Sequence, residues 1–473
     1  MIFHQRVSRT FRYAIALSLL FSAAGVYGQR TTESVAADAN LRREISLNGD
    51  SRPELSSGLV LSPTVARYFD PLQGSSSIDL IGRALASNGE LAAARLDIER
   101  ARARLRQAGL RPNPTIDFEY ATGRLVGATG EYEKSIGLAV PLELGGKRQR
   151  RIDLARAQLE AAEAEIADRE RQLTSEVRAN YAEALAALRE LRITENLNDI
   201  DLQTARFVQV RVNEGESAPI EVSLLKVEVD RLRSRRSLLE GRLKASLLKL
   251  KILSGMSTDE LLRLREDLDT PILPQPPASV EGAIDIALRN RPDLRLARLT
   301  EEVAKAGLRL VRAESAPDVT PFTKYSVGRS VFDDTPAGPF TDRDKSLSFG
   351  VAVGLPIFNR NQGAKAEAAL IISQAQKRRE FSEQLIRSEV TSAYQRYQAA
   401  QVAVGTYNEG VIARSNENIR AIRAAYQIGE FRITDLLAEQ RRLSDSQREF
   451  TEALTEQYRA LADLQTAMGL PKE

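Results

Sequence analysis

The chain has 473 residues, of which 42% are hydrophobic, 28% charged and 5% aromatic, and it contains neither Cys nor Trp. The lack of cysteine excludes disulfides, thiolate metal sites, cysteine nucleophiles and a lipid anchor on an N-terminal cysteine. The formal net charge is +3, and a composition rich in Ala, Leu, Arg and Glu favours long helices over a β-rich or disordered chain.

Residues 1–28 have the pattern of a secretory signal peptide, the alternative being an amphipathic N-terminal helix. Three arginines precede a short apolar stretch, and Val26 and Gly28 occupy the small-residue positions before a cleavage point. Removing this segment leaves 67 − 3 = 64 basic residues against 64 acidic ones and also removes the only histidine, His4. The remaining chain is then unsuited to nucleic-acid binding, to a transition-metal site and to a His-dependent triad.

The rest of the sequence is predicted to contain two copies of one unit. Landmarks recur in the same order at a separation of slightly over 200 residues: Gly215-Glu216 and Gly429-Glu430 are 214 positions apart, and Pro141 corresponds to Pro356. A longer loop in the second copy, at 328–345, accounts for the drift in this separation. We therefore predict a tandem duplication of roughly 200 residues, far longer than a solenoid repeat.

The two predicted copies have the same internal order of elements. Residues 29–77 lack periodicity and are predicted to be an extended segment, and the Pro-rich stretch 256–280 is predicted to connect the copies. The first copy, 78–255, is predicted to contain a helix (78–108), strands (about 115–123 and 134–142) and long helices (146–212 and 220–253). The second copy, 281–473, is predicted to contain a helix (281–313), strands (about 318–328 and 345–356) and long helices (363–427 and 433–468).

Each predicted strand has one apolar face. In residues 347–355 the odd-numbered positions are Leu, Phe, Val, Val and Leu, and the even-numbered positions are Ser, Gly, Ala and Gly. Phe322 is an exception, because it falls on the otherwise polar side of its strand. Alternation over about nine residues suits a tilted strand that crosses a bilayer. Since four strands cannot close a barrel, this interpretation requires three chains and twelve strands; the alternative is a small soluble sheet packed on the helices.

The long helical segments are too long for a globular domain. A helix of about 67 residues extends roughly 100 Å, and it lacks the apolar run of a membrane helix. Leu159, Ile166 and Leu173 recur at intervals of seven, as in a coiled-coil seam, but small and polar residues interrupt the pattern elsewhere. The helices suit a wall with one hydrated face, although by themselves they also fit a filamentous scaffold.

Three motifs resemble those of the TolC-type outer-membrane efflux factors. AYQIGEFRITDLLAEQRRL (425–443) is similar to the helix turn of that family, and PLELGGKRQRR (141–151) and LPIFNRNQGAKAEA (355–368) resemble its strand-to-helix junctions. The junctions are closest to the branch that serves cobalt–zinc–cadmium resistance. The resemblance implies a mainly helical fold with a transmembrane β-barrel: a homotrimer with a twelve-stranded barrel in the outer-membrane lipid and a helical tunnel in the periplasm. It also implies two partners, a periplasmic adaptor protein and a proton-driven inner-membrane pump.

The resemblance also implies which residues surround the narrow end of the tunnel, at the turns around Gly215 and Gly429. Asp435 matches an acid that rings the tunnel entrance, where three symmetry-related carboxylates would attract cations. A second acid three residues on is replaced by Ala438, with Glu439 beside it. The counterpart in the first copy is Glu221. The local alternative for Asp435 is a helix-capping role.

Tyr426 matches a residue that holds the entrance closed in that family by hydrogen bonding to a neighbouring helix. Arg423 and Arg432 are candidate partners in such a latch. The alternative for Tyr426 is simple packing, which is common for an amphipathic tyrosine.

The sequence predicts a non-enzymatic exit channel for metal cations or drugs, without cofactor or bound metal. It contains no GxxxxGK[ST] nucleotide loop, so energy must come from the partners. The basic run at 147–151 is predicted to be a solvated helix start rather than a lipid-headgroup site. Two alternatives remain: a periplasmic coiled-coil scaffold with a small soluble sheet, and a secreted hydrolase that would depend on a carboxylate pair such as Asp333-Asp334.

Overall fold

The structure, a computed structural model, describes residues 62–123, 130–269, 273–332, 338 and 340–469. The predicted signal peptide, the first part of the predicted extended segment and Asp333-Asp334 lie outside the described residues. Among the described residues, none of the helices is both long enough and apolar enough to pass through a membrane.

The described elements are mainly helical and occur in the same order in both halves of the chain. The first half contains α1 (Ser77–Ser87), α2 (Gly89–Ala108), β1 (Thr115–Thr122), β2 (Tyr132–Ala139), α3 (Lys147–Asn213) and α4 (Pro219–Leu253). The second half contains α5 (Val280–Asn290), α6 (Pro292–Glu314), β3 (Val319–Phe332), β4 (Phe340–Val353), α7 (Gln362–Thr406), a π-helical segment (Tyr407–Ile412), α8 (Ala413–Gln427) and α9 (Ile433–Ala467).

Two short helices replace the single helix that the sequence predicted at the start of each copy. In the first copy the chain breaks at Asn88, whose side chain accepts a hydrogen bond from the amide of Leu91 (2.9 Å) and caps α2. In the second copy Pro292 takes the first position of α6, where its missing amide costs nothing. Capping chemistry therefore ends these helices although the apolar periodicity continues through both breaks.

The long helical run of the second copy is also interrupted. The sequence predicted one helix over 363–427, whereas the structure has a π-helical segment between α7 and α8. The corresponding helix of the first copy, α3, continues for 67 residues without such a segment. At 1.5 Å per residue its length is roughly 100 Å.

The four strands form one antiparallel sheet in the order β1-β2-β3-β4. The strands β3 and β4 have 14 residues each and pair from Val319↔Val353 to Phe332↔Phe340. They extend well into 328–345, which was predicted to be a loop because of its Gly, Asp and Pro content. The rings of Phe332 and Phe340 stack at the end of this ladder, with 6.4 Å between their centroids.

The structure explains why Phe322 departs from the strand pattern. Its Cα pairs with that of Gly350 on β4, and a side chain added at Gly350 would lie 2.4 Å from the Phe322 ring. The ring therefore covers the backbone of the facing glycine, an arrangement that compensates for the poor packing of glycine within a strand.

The largest core lies where the short helices meet the middle of α3. It includes Leu80, Tyr181, Leu250 and Leu264, all at most 2% exposed. Leu264 belongs to the predicted connector, and its amide donates to the carbonyl of Tyr68 (2.8 Å) in the predicted N-terminal segment. These two segments, which the sequence did not relate to each other, thus pair at the centre of the long helices.

Candidate functional site at the paired helix turns

The two turns that end the long helices have the same backbone geometry. Gly215 and Gly429 have φ values of 80° and 87°, which L-residues with side chains rarely adopt. The residue after each glycine donates its amide to the carbonyl five positions earlier, at 2.8 Å in the first turn and 3.0 Å in the second. This bonding is the Schellman arrangement that ends helices at glycine, so local chain geometry accounts for both glycines.

An apolar cluster joins the two helix pairs beside these turns. Its central members are Val208 on α3, Leu225 on α4, Ile419 on α8 and Leu436 on α9, and each is at most 7% exposed. Because all four helices contribute, the apolar side chains of each helix pair are buried only when the two pairs pack together. The turns are therefore held side by side by the packing behind them.

Tyr426 and Glu221 connect the two turns directly. Tyr426 is 5% exposed, and its hydroxyl donates to Glu221 Oε2 at 3.0 Å. Burial and the adjacent carboxylate raise the pKa of Tyr426 to about 12, an increase that Arg211 partly opposes. The hydroxyl therefore keeps its proton, and its ability to donate, throughout the neutral range.

The structure changes the roles expected for the other latch candidates. In the described structure neither Arg423 nor Arg432 binds Tyr426; Arg432 offers its backbone amide to Asp435, at 3.0 Å from Oδ2. Glu221, predicted to contribute charge at the entrance, is partly exposed and is the hydrogen-bond partner of Tyr426. The sequence motif could not identify this pairing because the two residues are 205 positions apart.

Asp435 has an exposed carboxylate in the first turn of α9. Its hydrogen bond from Arg432 is the capping interaction considered as the local alternative. One oxygen makes this bond, and the side chain as a whole remains open to solvent at the turn. Capping and a charged role at the tunnel entrance are thus compatible for this residue.

Glu439 does not have the exposure that its predicted pore-lining role requires. The residue is 5% exposed, and its carboxylate forms an ion pair with Arg442 one turn along the same helix, at 3.3 Å. Placing Glu439 at the entrance on the basis of sequence position was wrong, because helical rotation turns its side chain into the protomer.

A buried polar cluster that the sequence did not reveal lies behind the turns. Asp201 on α3 and Glu228 on α4 are 3% and 5% exposed, and Glu228 accepts a hydrogen bond from Arg441 at 3.0 Å. Burial, together with the charge of Glu228, raises the pKa of Asp201 to about 6, while Gln440 and Arg423 partly offset this rise. Isolated polar residues on a largely polar helix give no sequence signal, so only the packing identifies them.

The basic run at the start of α3 is more firmly bound than predicted. Lys147 is 8% exposed and forms an ion pair with Asp318 at 2.7 Å. Arg148 Nε donates to the carbonyl of Gly109 at 2.7 Å. The prediction of a solvated helix start is wrong for Lys147, which is buried, whereas Arg148 and Arg150 are exposed as predicted. Lys147 and Arg148 attach α3 to the segments that precede the strands.

Two segments of the chain match one known protein family. Residues 80–256 and 283–470 each match the family described as outer membrane efflux protein. The chain belongs to this outer membrane efflux family. The two matched segments correspond closely to the two predicted copies. The expected likeness to TolC-type efflux factors and the outer-membrane location are confirmed.

The chain is similar to named proteins from two bacterial species. It is 24% identical over 387 residues to the cobalt-zinc-cadmium resistance protein CzcC of Cupriavidus metallidurans, covering 82% of this chain and 88% of CzcC. It is 23% identical over 425 residues to the solvent efflux pump outer membrane protein SrpC of Pseudomonas putida, covering 86% and 87%. Efflux across the outer membrane is thus the function of the family to which the chain belongs.

Solved structures share the fold. The structure of CusC has a TM-score of 0.69 and 23% sequence identity, covering 83% of this chain and 92% of CusC. The outer-membrane channel OprN has a TM-score of 0.68 and 19% identity, covering 86% and 95%. The duplicated arrangement of helices and strands described above is therefore the fold of these channels.

Proposed function

We propose that three copies of this chain form a passive exit duct, in which twelve strands close a barrel and the long helices form a tunnel. The observation that supports this most directly is a sheet with two unpaired edges and one exposed apolar face. Within the described structure, the outer edges of β1 and β4 have no strand partner. Backbone groups left unpaired in lipid are costly, and closure into a barrel satisfies them.

The exposed face of the sheet is continuous across all four strands. Phe118 pairs with Ile136, Ile136 with Tyr325, and Tyr325 with Leu347, so one row crosses the whole sheet. Phe118 and Phe349 are 76% and 77% exposed. Other large apolar side chains exposed on the strands are Ile116, Tyr120, Leu138 and Val351. An apolar surface of this extent is suited to contact with lipid.

The paired helix turns form the closed end of the proposed duct. The hydrogen bond from Tyr426 to Glu221 holds α8 against α4, and opening requires the two helix pairs to separate. The three Asp435 carboxylates of the trimer would then stand around the opening and attract cations. Glu439 is not part of this ring, since its carboxylate is buried.

The proposed partners follow from the passive character of the duct. Because a passive duct supplies no energy, transport through it needs a proton-driven inner-membrane pump and an adaptor that crosses the periplasm. Metal cations and organic compounds are both candidate substrates, because relatives are named for cobalt, zinc and cadmium resistance and for solvent efflux. A single ring of acids at the opening favours cations over anions in either case.

The decisive experiment measures the assembly of the full chain in detergent. Light scattering after size-exclusion chromatography should give a protein mass close to three times that of the processed chain, and the protein should remain in the outer-membrane fraction after a high-salt wash. The chain lacks cysteine, so cysteine pairs placed on β1 and β4 should cross-link different copies without background. A monomer that is water-soluble without detergent would contradict the duct and favour the periplasmic scaffold.

A further inference from the structure

A cavity that is partly open to solvent lies beside the middle of α3, away from the paired turns. It has a volume of about 240 Å³ and is bounded by α3, by the start of α6 and by the end of α9. Its charged lining consists of Arg171, Arg178 and Arg295 together with Glu170. We refer to it as the arginine cavity.

Arg178 is the unusual member of this lining. The residue is 9% exposed, and its Nε atom has no hydrogen-bond partner. Among the described residues Arg178 forms no ion pair. Burial lowers the pKa of its guanidinium, and the neighbouring Tyr458 partly opposes this effect. A guanidinium nevertheless stays protonated inside proteins. The fold therefore encloses a positive charge without a carboxylate beside it, and such charges are normally paired.

The acids near the cavity have other partners. Glu170 Oε1 lies 2.7 Å from Arg95 Nη2, and Asp168 lies 2.7 Å from Arg171 on the same helix. Arg295, in contrast, has an exposed side chain at the rim of the cavity. The charge of Arg178 is thus left for a group that enters the cavity from outside.

We propose that the arginine cavity binds a small oxyanion of the phosphate or sulfate class. The planar guanidinium of Arg178 presents paired N–H donors that match the oxygens of such anions, and the exposed Arg295 adds a second positive charge. A water molecule occupies about 30 Å³ in the liquid, so the cavity accommodates an inorganic phosphate with water beside it. The bound anion would connect α3 to the junction of α6 and α9.

The position of the cavity favours a free anion over a lipid headgroup. Arg178 lies 178 − 147 = 31 residues along α3 from its first residue, a distance of roughly 45 Å at the helical rise. Since the strands adjoin the start of α3, the cavity is well separated from the part of the chain that meets lipid. Inorganic phosphate is therefore the appropriate probe.

The test compares thermal unfolding of the full-length protein in detergent, in sodium phosphate and in sodium chloride at equal pH and ionic strength. Phosphate should raise the melting temperature of the wild type by about 2–4 °C, because it binds only the folded state. Arg178→Gln should abolish this increase. Arg420→Gln is the matched control, since Arg420 is an exposed arginine on α8 that bonds only to the Asn416 carbonyl of its own helix.

Equilibrium dialysis with labelled phosphate should then give one site per chain in the wild type and none in Arg178→Gln. Equal melting temperatures in the two salts, or an unchanged phosphate response in Arg178→Gln, would overturn the proposal. So would a loss of trimer stability in Arg178→Gln with no effect of phosphate on the wild type, because a carboxylate from a neighbouring copy would then be the partner. If Arg178→Gln does not fold, equilibrium dialysis of the wild type decides, because phosphate also stabilises folded proteins without binding at a site; the absence of a site on the wild type would then overturn the proposal.

Discussion

Tyr426 at the end of α8 donates its hydroxyl proton to Glu221 in the first turn of α4, with 3.0 Å between the two oxygens. The two residues belong to different copies of the duplicated unit, so the bond links the two helix turns of one chain. Its donor is buried and its acceptor is partly exposed at the turn. A hydrogen bond to a charged acceptor contributes about 1.5–3 kcal/mol, which is enough to bias the turns strongly toward contact.

Replacing Tyr426 by Phe removes only the hydroxyl and should shift the duct toward its open form. A loss of about 1.5–3 kcal/mol lowers the preference for the closed state by roughly 10-fold or more. Single-channel recording in planar bilayers should show a larger mean conductance. Tyr407→Phe is the matched control, because Tyr407 also donates to a glutamate, Glu449 at 3.1 Å, but lies in the π-helical segment. Equal conductance changes in both variants would argue against a latch at Tyr426.

The same latch predicts coupling between the two side chains. Glu221→Ala alone should open the duct about as much as Tyr426→Phe, and the double variant should add little, since each change removes the same bond. Additive effects on conductance would show that the two residues act separately.

Asp435→Asn should weaken the block of the open duct by multivalent cations. The amide oxygen can still accept the bond from the amide of Arg432, so the start of α9 is preserved while three charges are removed from the proposed ring. The concentration of a trivalent cation that blocks half of the current should rise by about 10-fold or more. Each loss of about 1.4 kcal/mol in electrostatic attraction lowers the affinity tenfold. Asp445→Asn, an exposed acid further along α9, should leave the block unchanged.

Asp201→Asn should alter how stability depends on pH. The folded protein binds the Asp201 proton more tightly than the unfolded chain does, because the pKa of Asp201 is raised from 3.8 to about 6. The stabilising contribution is thus present below pH 4 and is lost as the pH rises through about 6. At pH 7.5 the variant should therefore be more stable than the wild type by up to about 3 kcal/mol, and the difference should shrink at pH 4.

Thermal unfolding at a series of pH values tests this expectation for Asp201. Asp199→Asn, an exposed acid two positions earlier on α3, controls for the loss of one negative charge. The melting temperatures of the wild type and Asp201→Asn should differ more at pH 7.5 than at pH 4. An equal difference at both pH values would contradict a raised pKa for Asp201.

Gly429→Ala should destabilise the second turn. An alanine at φ 87° costs about 1 kcal/mol or more, and the fold holds this glycine at the end of α8. Gly405→Ala provides the opposite control, because Gly405 lies in α7 with open space around it. That variant should gain about 0.5–1 kcal/mol. Limited proteolysis at the turn should increase in Gly429→Ala alone; equal resistance would contradict the role of the positive φ.

Much of the fold was predictable from the sequence because it depends on local patterns. Alternation defined the four strands, and the repeated Gly-Glu turns located both ends of the long helices. The short-range prediction failed where specific side chains override periodicity, as at Asn88, where a capping side chain divides a helix, and along 328–345, where paired strands occupy a stretch with the composition of a loop.

The candidate site was less predictable because its contacts join distant parts of the chain. Asp435 was placed correctly at the first turn of a helix, since capping is a local property. Glu439 is four residues further on, and its burial depends on how α9 is rotated against its neighbours. The partner of Tyr426 and the burial of Asp201 likewise depend on the packing of four helices, which a single sequence does not specify.

The unequal lengths of the two hairpins affect the outer mouth of the proposed duct. The strands β3 and β4 exceed β1 and β2 by 14 − 8 = 6 residues. Residues 330–332 and their partners 340–342 lie beyond the ladder with β2 at the turn end, an overhang of about 10 Å at the rise of a strand. This overhang pairs Ser330 with Asp342 and Val331 with Thr341, and it ends in the stacked rings of Phe332 and Phe340. A ring of three chains would therefore carry a scalloped rim with three projections, which would be the first parts of the protein that antibodies or external proteases encounter on intact cells.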